Sequence, residues 1–417
     1  MRPEAILARV DARREELLAL LDRLVRTPSI NPGGDERAVA DLLGGYLRSV
    51  GLGDQRVLAK APERPNLVVR LRGRKPGPVL MLSGHMDTKP VGEDAAHLWR
   101  TDPFTPVLEE GRLYGLGTAD MKGAVAAMAV AAAVLAEADA PLAGDLLLVF
   151  TADEEAGGRL GARYLSEEAD LRADAGLVGE PCGVARDWEA LCLAARGTLG
   201  FRTRVHGTQA HSSLSDRLPV TNAVQKMAAV LDRMAREFRV EMPPHPYYPA
   251  GVTHNIGVTV DGGVFYGVVP GRAEFRSDLR LPPGITAAEA WRQVNAFVER
   301  LRREDPGLRI DLVRDLPAGA DDQAPIPEVP PDEPLVGSVL RAASTVLGQP
   351  PPLGGFPGAT DAFDFHARAG IPTIPSFGPG LLTVCHGPNE YVAVESVVQA
   401  AKIYALAAFD YLGGGRR

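Results

Sequence analysis

The chain is 417 residues long, 45% hydrophobic and 24% charged, which gives ample apolar material for two or three packed domains and excludes a disordered chain. Its 45 Lys and Arg against 53 Asp and Glu leave a net charge of −8, which argues against a nucleic-acid partner, because nucleic acids reward basic faces. Three cysteines are too few for a disulfide scaffold and suit a reducing compartment, so a cytoplasmic location is expected.

The first 25 residues carry charges throughout and have no uninterrupted apolar stretch. They predict an amphipathic helix and not a signal peptide, with Ile6, Val10, Leu17, Leu18, Leu21 and Val25 near one face. A second amphipathic helix is predicted over 35–50, ended by Gly51 and Gly53. Apolar runs at 66–71, 79–83, 145–151 and 175–179 predict strands, interleaved with helices at 121–136 and near 158–166. The segment 121–136, MKGAVAAMAVAAAVLA, is the most apolar of the chain. It falls short of the roughly 18 residues of a membrane span and contains Lys122 and Gly123, so it predicts a buried core helix and no membrane is expected. Strands alternating with helices predict an α/β domain, its sheet mostly parallel with helices on both faces.

The texture changes after residue 190. The segment 197–207, GTLGFRTRVHG, alternates like a half-exposed antiparallel strand. A helix at 220–238, strands at 254–260 and 273–281, a helix at 287–303 and a strand at 308–313 complete a β-α-β-β-α-β order, a ferredoxin-like α+β unit. The Pro-, Asp- and Ala-rich stretch 316–334 reads as a linker, and helical periodicity returns at 335–347 and 394–411. The expected organisation is one catalytic α/β domain in two parts, 1–194 and 316–417, interrupted by an inserted domain at 195–315.

Chemistry-bearing residues gather at predicted strand ends. His85 stands in S-G-H-M-D-T just past an apolar run, and Asp87, two residues on, points the same way on an extended segment. Asp120 lies in G-L-G-T-A-D-M-K-G, Glu154 and Glu155 in T-A-D-E-E-A-G-G, and Glu180 in G-E-P. Each acid taken alone fits a helix N-terminus, where carboxylates are favourable. Four segments, each ending a buried strand with an acid, exceed that explanation, and crowded carboxylates repel unless a cation neutralises them. Because Glu154 and Glu155 are adjacent, one can bind metal while the other acts on water.

These segments resemble the di-zinc amidohydrolase and peptidase family that includes acetylornithine deacetylase, succinyl-diaminopimelate desuccinylase, aminoacylase and glutamate carboxypeptidase. The resemblance runs from L-V-R-T-P-S-I-N-P-G to T-V-C-H-G-P-N-E, nearly the whole chain. It implies two divalent metal ions, zinc first with cobalt or manganese as alternatives. His85 and Glu180 would hold one ion, Glu155 and His386 the other, with Asp120 bridging and Asp87 orienting His85. Glu154 would be the general base and acid. Two dications against three carboxylates leave a residual positive charge, which lowers the pKa of bound water toward about 7. The implied reaction is hydrolysis of a linear amide.

The resemblance extends to the insertion. His211, in G-T-Q-A-H-S-S, would stabilise the oxyanion from the partner subunit of a homodimer paired through the inserted domain, which also serves as a lid. Asn255, Arg280 and Arg196 would hold a substrate carboxylate, which suits the planar fork of arginine. Gly358 and Thr360, in G-G-F-P-G-A-T-D, would line the pocket rim, where Ala359 replaces the threonine of the desuccinylase pattern. The first expectation is an N-acyl-amino-acid deacylase resembling acetylornithine deacetylase, the second a dipeptidase or carboxypeptidase, and from a different class a catalytically inactive ligand-binding relative. A dinucleotide-binding α/β protein is the remaining alternative, a weak one because G-L-G-T-A-D lacks the third glycine at the required spacing and a following ribose-binding acid. Cys182 and Cys385 read as small buried residues, Cys192 has no suggestive context, and His97, His206, His245, His254 and His366 read as surface or satisfied histidines.

Overall fold

The computed structural model describes residues 2–92, 95–138, 140–315 and 326–413; the linker expected at 316–334 therefore lies partly outside the described residues. The chain forms two compact units, one from 1–195, 327–356 and 360–417, the other from 196–326 and 357–359.

The first unit is built on a six-stranded sheet. Its strands are β1 (Gln55–Ala59), β2 (Pro65–Leu71), β3 (Lys75–His85), β4 (Ala143–Thr151) and β5 (Ala175–Val178), with a short strand Thr373–Ile374 at the edge. The order is β1-β2-β4-β3-β5 and then the edge strand. The β1–β2 and β2–β4 pairs are antiparallel; β4–β3, β3–β5 and β5 with the edge strand are parallel. The α/β reading with a mainly parallel sheet is thus what the chain adopts. β3 to β5 are buried along most of their length, which is why they read as continuous apolar runs rather than alternating ones. β1, mostly exposed, carries too weak an apolar signal to be predicted.

The N-terminal amphipathic segment divides at Arg13 into helices Pro3–Ala12 and Arg14–Val25. The Ala-rich helix runs Gly123–Glu137, with Gly123 to Leu135 all buried. By length and composition Thr118–Glu137 is apolar enough to cross a membrane, but 94% of its apolar window is buried inside the fold. Gly84 explains how closely this region approaches β3: a Cβ there would lie 2.8 Å from Met121 Cε and 3.1 Å from Val125 Cγ2.

The second unit is a four-stranded antiparallel sheet with two helices. β6 (Gly197–His206), β7 (Thr253–Gly262), β8 (Arg272–Leu281) and β9 (Arg309–Asp315) lie in the order β7-β8-β6-β9. The helices Ala223–Glu237 and Ala287–Glu304 pack their apolar stripes, Met227, Val230 and Met234 with Val294, Val298 and Leu301, against Leu199, Phe201, Val205 and Phe275. The alternation in β6 follows from this one-sided burial. β7 is the exposed edge, and Val258, Val260, Val264, Phe265 and Tyr266 stand open on it and on the loop that follows.

Asn66 on β2 shows how the sheet controls the loops around it. Its buried side chain donates to Leu58 O at 3.0 Å and Leu160 O at 2.8 Å and accepts from Ala152 N at 3.0 Å. Asn66→Ala strands three buried polar groups, so the expected loss is about 2–4 kcal/mol. Urea unfolding checks it; a change below about 0.5 kcal/mol, the range of a neutral surface substitution, would refute the role given to Asn66.

Candidate metal centre

Three neighbouring parallel strands deliver their C-terminal ends to one place. β3 ends at His85, β4 leads through Ala152 and Asp153 into the one-turn helix Glu154–Ala156, and β5 leads to Glu180. The side of an α/β sheet outside the strand C-termini is where functional groups collect. Asp120 arrives differently from its expected place at a strand end. It sits in a distorted turn, Thr118–Lys122, that enters the Ala-rich helix, with φ −122° and ψ 91° and a cis peptide to Met121. His386 comes from the loop after the one-turn helix Leu382–Val384, at φ 59°.

Asp120 divides its two oxygens between two imidazoles. Oδ1 lies 2.9 Å from His85 Nε2, and Oδ2 lies 3.1 Å from His386 Nε2. Glu180 Oε1 is 3.6 Å from His85 Nε2, and Glu155 Oε1 is 3.2 Å from His386 Nε2. The structure therefore brings together all five residues expected to bind metal. His85, Asp120, Glu155 and Glu180 are buried, whereas the His386 side chain is 49% exposed.

The donor set suits a cation. Glu155 Oε1 is buried and receives no hydrogen bond. Burial and the charges of Asp120, Glu154 and Glu155 push Glu180 well above the usual carboxylate range. Burial does the same for Glu154, helped by Asp361, Glu155 and Asp87. The imidazoles hold protons as well. His386 is pushed up to about 10, chiefly by Asp120 and Glu155. Burial opposes a proton on His85, but Asp120, Asp87 and Glu180 outweigh it and hold its pKa well above the usual value. A bound cation replaces these protons.

Asp87 has a wider task than orienting His85. His85 Nδ1 lies 3.0 Å from the main-chain oxygen of Asp87 and 3.5 Å from its carboxylate, so the shorter contact is to the main chain. That contact places a proton on Nδ1 and leaves Nε2 as the ligand atom. The carboxylate itself accepts from Asn31 Nδ2 at 2.8 Å, Glu155 N at 3.0 Å and Glu154 N at 3.3 Å, which fixes the turn bearing both glutamates.

Three further residues hold the centre. Asn31 also donates to Asp153 Oδ1 at 3.1 Å. Glu390 Oε1 accepts from Ala119 N at 2.8 Å and Asp120 N at 3.1 Å, while its main-chain oxygen accepts from Gly115 N at 2.9 Å, stitching the His386 loop to the Asp120 turn. Burial raises this carboxyl to about 8. Lys89 places Nζ 3.0 Å from Glu155 Oε2. Asn31 and Glu390 stand inside the motifs quoted above, T-P-S-I-N-P-G and H-G-P-N-E, so their position was the available signal; Lys89 had none. Asp361 accepts from Thr151 Oγ1 at 2.6 Å, and burial raises it to about 7. Cys182 and Cys192 are buried, and Cys385 Sγ donates to Leu381 O at 3.2 Å, so none of the three is a spare ligand.

The remaining expected residues, apart from Thr360, lie in the second unit. His211 is exposed, and its Nδ1 accepts from Ser213 N at 3.2 Å. Arg280 Nε donates to Asp278 at 2.8 Å, and Asn255 Nδ2 lies 3.4 Å from the same carboxylate oxygen. Arg196 stacks on Tyr248 at 4.5 Å and donates to Gly251 O at 2.9 Å and Arg280 O at 3.0 Å, while Gly358 O accepts its main-chain N–H at 2.8 Å. Thr360, in the first unit, accepts from Ala362 N at 3.2 Å. These contacts give Arg196 and Thr360 structural tasks of their own.

The chain is similar to known proteins in sequence and in fold. The model of the peptidase family M20/M25/M40 matches residues 81–410. A succinyl-diaminopimelate desuccinylase of Alkalilimnicola ehrlichii is 32% identical over 395 residues, covering 93% of this chain and 97% of that protein. An acetylornithine deacetylase of Photorhabdus laumondii is 30% identical over 402 residues, covering 93% and 94%. In fold, human carnosine dipeptidase 1 superposes with a TM-score of 0.76 at 17% identity, covering 99% of both chains.

Because cations and protons compete for His386 and Glu180, divalent metal should bind with proton release, and affinity should rise with pH. The sign follows from the raised pKa of His386: in the metal-free protein its charged contact with Asp120 and Glu155 stabilises the fold below about 6.5 and fades as pH passes about 10. Calorimetric titration of the chelator-treated protein with Zn²⁺ at pH 8 should give buffer-dependent heats. Heats independent of the buffer's ionisation enthalpy would show that the metal displaces no proton from His386 or Glu180 and would refute the competition.

Proposed function

Because the chain belongs to the peptidase family M20/M25/M40, we propose that it hydrolyses the amide bond of an N-acyl amino acid, as a deacylase like acetylornithine deacetylase, with two divalent metal ions, zinc first. The observation that carries this reading is the division of Asp120 between His85 and His386, with Glu180 on one side and Glu155 on the other. His85, Asp120 and Glu180 would hold one ion, and Asp120, Glu155 and His386 the other. When bound, the metal pair polarises the amide carbonyl and lowers the pKa of water.

Glu154 is the proton carrier. Burial, with Asp361, Glu155 and Asp87 close by, raises its pKa above the usual carboxylate range and so favours holding a proton once it is taken up. It takes one proton from the attacking water and delivers it to the leaving amine nitrogen. The carboxylate of the amino-acid half is assigned to Arg280 and Asn255. The relatives at 30–32% identity are named for acylated amino acids, which favours that class of substrate over dipeptides. Ala359 favours an acetyl-type over a succinyl-type acyl group.

His211 is assigned to the oxyanion of a partner subunit's site. With Nδ1 accepting from Ser213 N, the neutral ring carries its proton on Nε2, where it can donate. The exposed edge strand β7 and the open apolar side chains Val258, Val260, Val264, Phe265 and Tyr266 support pairing of two inserted units.

Two experiments test this reading. Glu154→Gln should keep the metal content of the wild type and lower kcat about 10²–10⁴-fold on an N-acyl amino acid; loss of both ions would make Glu154 a ligand instead. His211→Ala should lower kcat about 10²–10³-fold. Mixed with Glu154→Gln protomers it should regain part of the activity, since a heterodimer carries one intact site. A monomeric protein, or exchanged subunits that regain nothing, would exclude action in trans.

A further inference from the structure

Lys89 is a cation inside the centre that the hydrolytic roles do not use. It stands four residues after His85, on the segment leaving β3, and its side chain is 34% exposed. Nζ lies 3.0 Å from Glu155 Oε2 and also donates to the main-chain oxygen of Glu155. One ammonium thus holds the same residue by side chain and main chain. Oε2 is thereby engaged, and Oε1, which faces His386 Nε2 at 3.2 Å, is left as the oxygen without a hydrogen bond. Glu155 therefore has one oxygen to offer an ion, and its charge is already partly neutralised.

The opposite limb is built without such a counter-charge. Among the described residues, Glu180 has only the His85 imidazole within ion-pair distance, at 3.6 Å. Asp120, shared by both limbs, contacts His85 and His386 alike. The two limbs hold the same kinds of ligand, one imidazole and one unshared carboxylate each; they differ in the exposure of His386 against the buried His85 and in the fixed positive charge beside Glu155. A like charge next to a ligand repels the incoming dication and weakens that position selectively.

We propose that Lys89 makes the Glu155–His386 position the weaker of the two, so that the centre fills in order, first at His85–Asp120–Glu180 and then at Glu155–His386. The proposal rests on the two-metal reading above. Partial exposure screens the repulsion, so the separation between the two affinities is on the order of 10–100-fold, the range by which groups just outside a metal's ligands shift its affinity. Over a span of metal concentration the protein then carries a single ion.

The test is titration of the metal-stripped, full-length protein with Zn²⁺ by calorimetry, read as two binding constants. Lys89→Met should tighten the second step roughly 10–100-fold and leave the first within a few-fold. Lys89→Arg, which keeps the charge, should keep the wild-type separation. Lys89→Gln repeats the neutral replacement with a polar side chain, and circular dichroism and Tm show whether each variant folds. Wild type that takes one ion while Lys89→Met takes two would support the proposal equally. Two steps in wild type with an unchanged second constant in both neutral variants would overturn it and leave the two-metal reading standing. If no variant takes up a second ion, the two-metal reading falls, and this proposal with it.

Discussion

Crowding of buried carboxylates is the constraint on which the rest of the structure depends. Asp87, Asp120, Glu155 and Glu180 are all shielded from water, and Asp361 stands close enough to Glu154 to help raise its pKa. Such a group cannot stay ionised without cations, since each charge loses its hydration and repels its neighbours. The fold answers partly with imidazoles, one on each side of Asp120. The remaining negative charge is what gives the site its appetite for a dication, and it ties metal affinity to pH through the same groups.

A site of this kind needs a rigid frame, because ligands free to separate would relieve their repulsion by moving apart. The frame is made largely of main-chain N–H groups received by carboxylates. Asp87 takes those of Glu154 and Glu155, Glu390 those of Ala119 and Asp120, and Asn31 spans Asp87 and Asp153. Lys122 anchors the turn behind Asp120 by donating to Leu24 O at 2.9 Å and Thr27 O at 2.8 Å. It is the charge that interrupts the apolar run in the sequence, and its burial, which lowers it to about 7, marks how tightly that turn is packed. Fixed donors of this sort are how outer residues tune a metal position.

Much of this was legible in the sequence, for identifiable reasons. The strands of the mainly parallel sheet are buried on both faces, so they read as unbroken apolar runs, and the acids that follow them stand out by contrast. β6 and β8 alternate because only one face meets the helices. What escaped were features set by tertiary contact. The break at Arg13 is not marked by Gly or Pro, and β1 has little buried surface to pattern it. The turn at Asp120, between the Gly-rich segment and the Ala-rich helix, is held by Glu390 270 residues away, a contact that no local pattern shows. Lys89 carries no signal in the sequence, and only the fold reveals Glu155 beside it.

The two adjacent glutamates show how the frame separates roles that the sequence left interchangeable. Both N–H groups of the pair go to Asp87, so the turn presents the two side chains in fixed and different directions. Glu155 meets Lys89 on one oxygen at 3.0 Å and His386 on the other at 3.2 Å. Among the described residues, no lysine or arginine lies within ion-pair distance of Glu154. Its neighbours Asp361, Glu155 and Asp87 are acidic, and together with burial they favour the protonated form. A carboxyl so placed is the poorer ligand and the better proton carrier. The division of labour follows from which side of one short turn faces a cation, a difference that no spacing rule in the motif T-A-D-E-E-A-G-G could express.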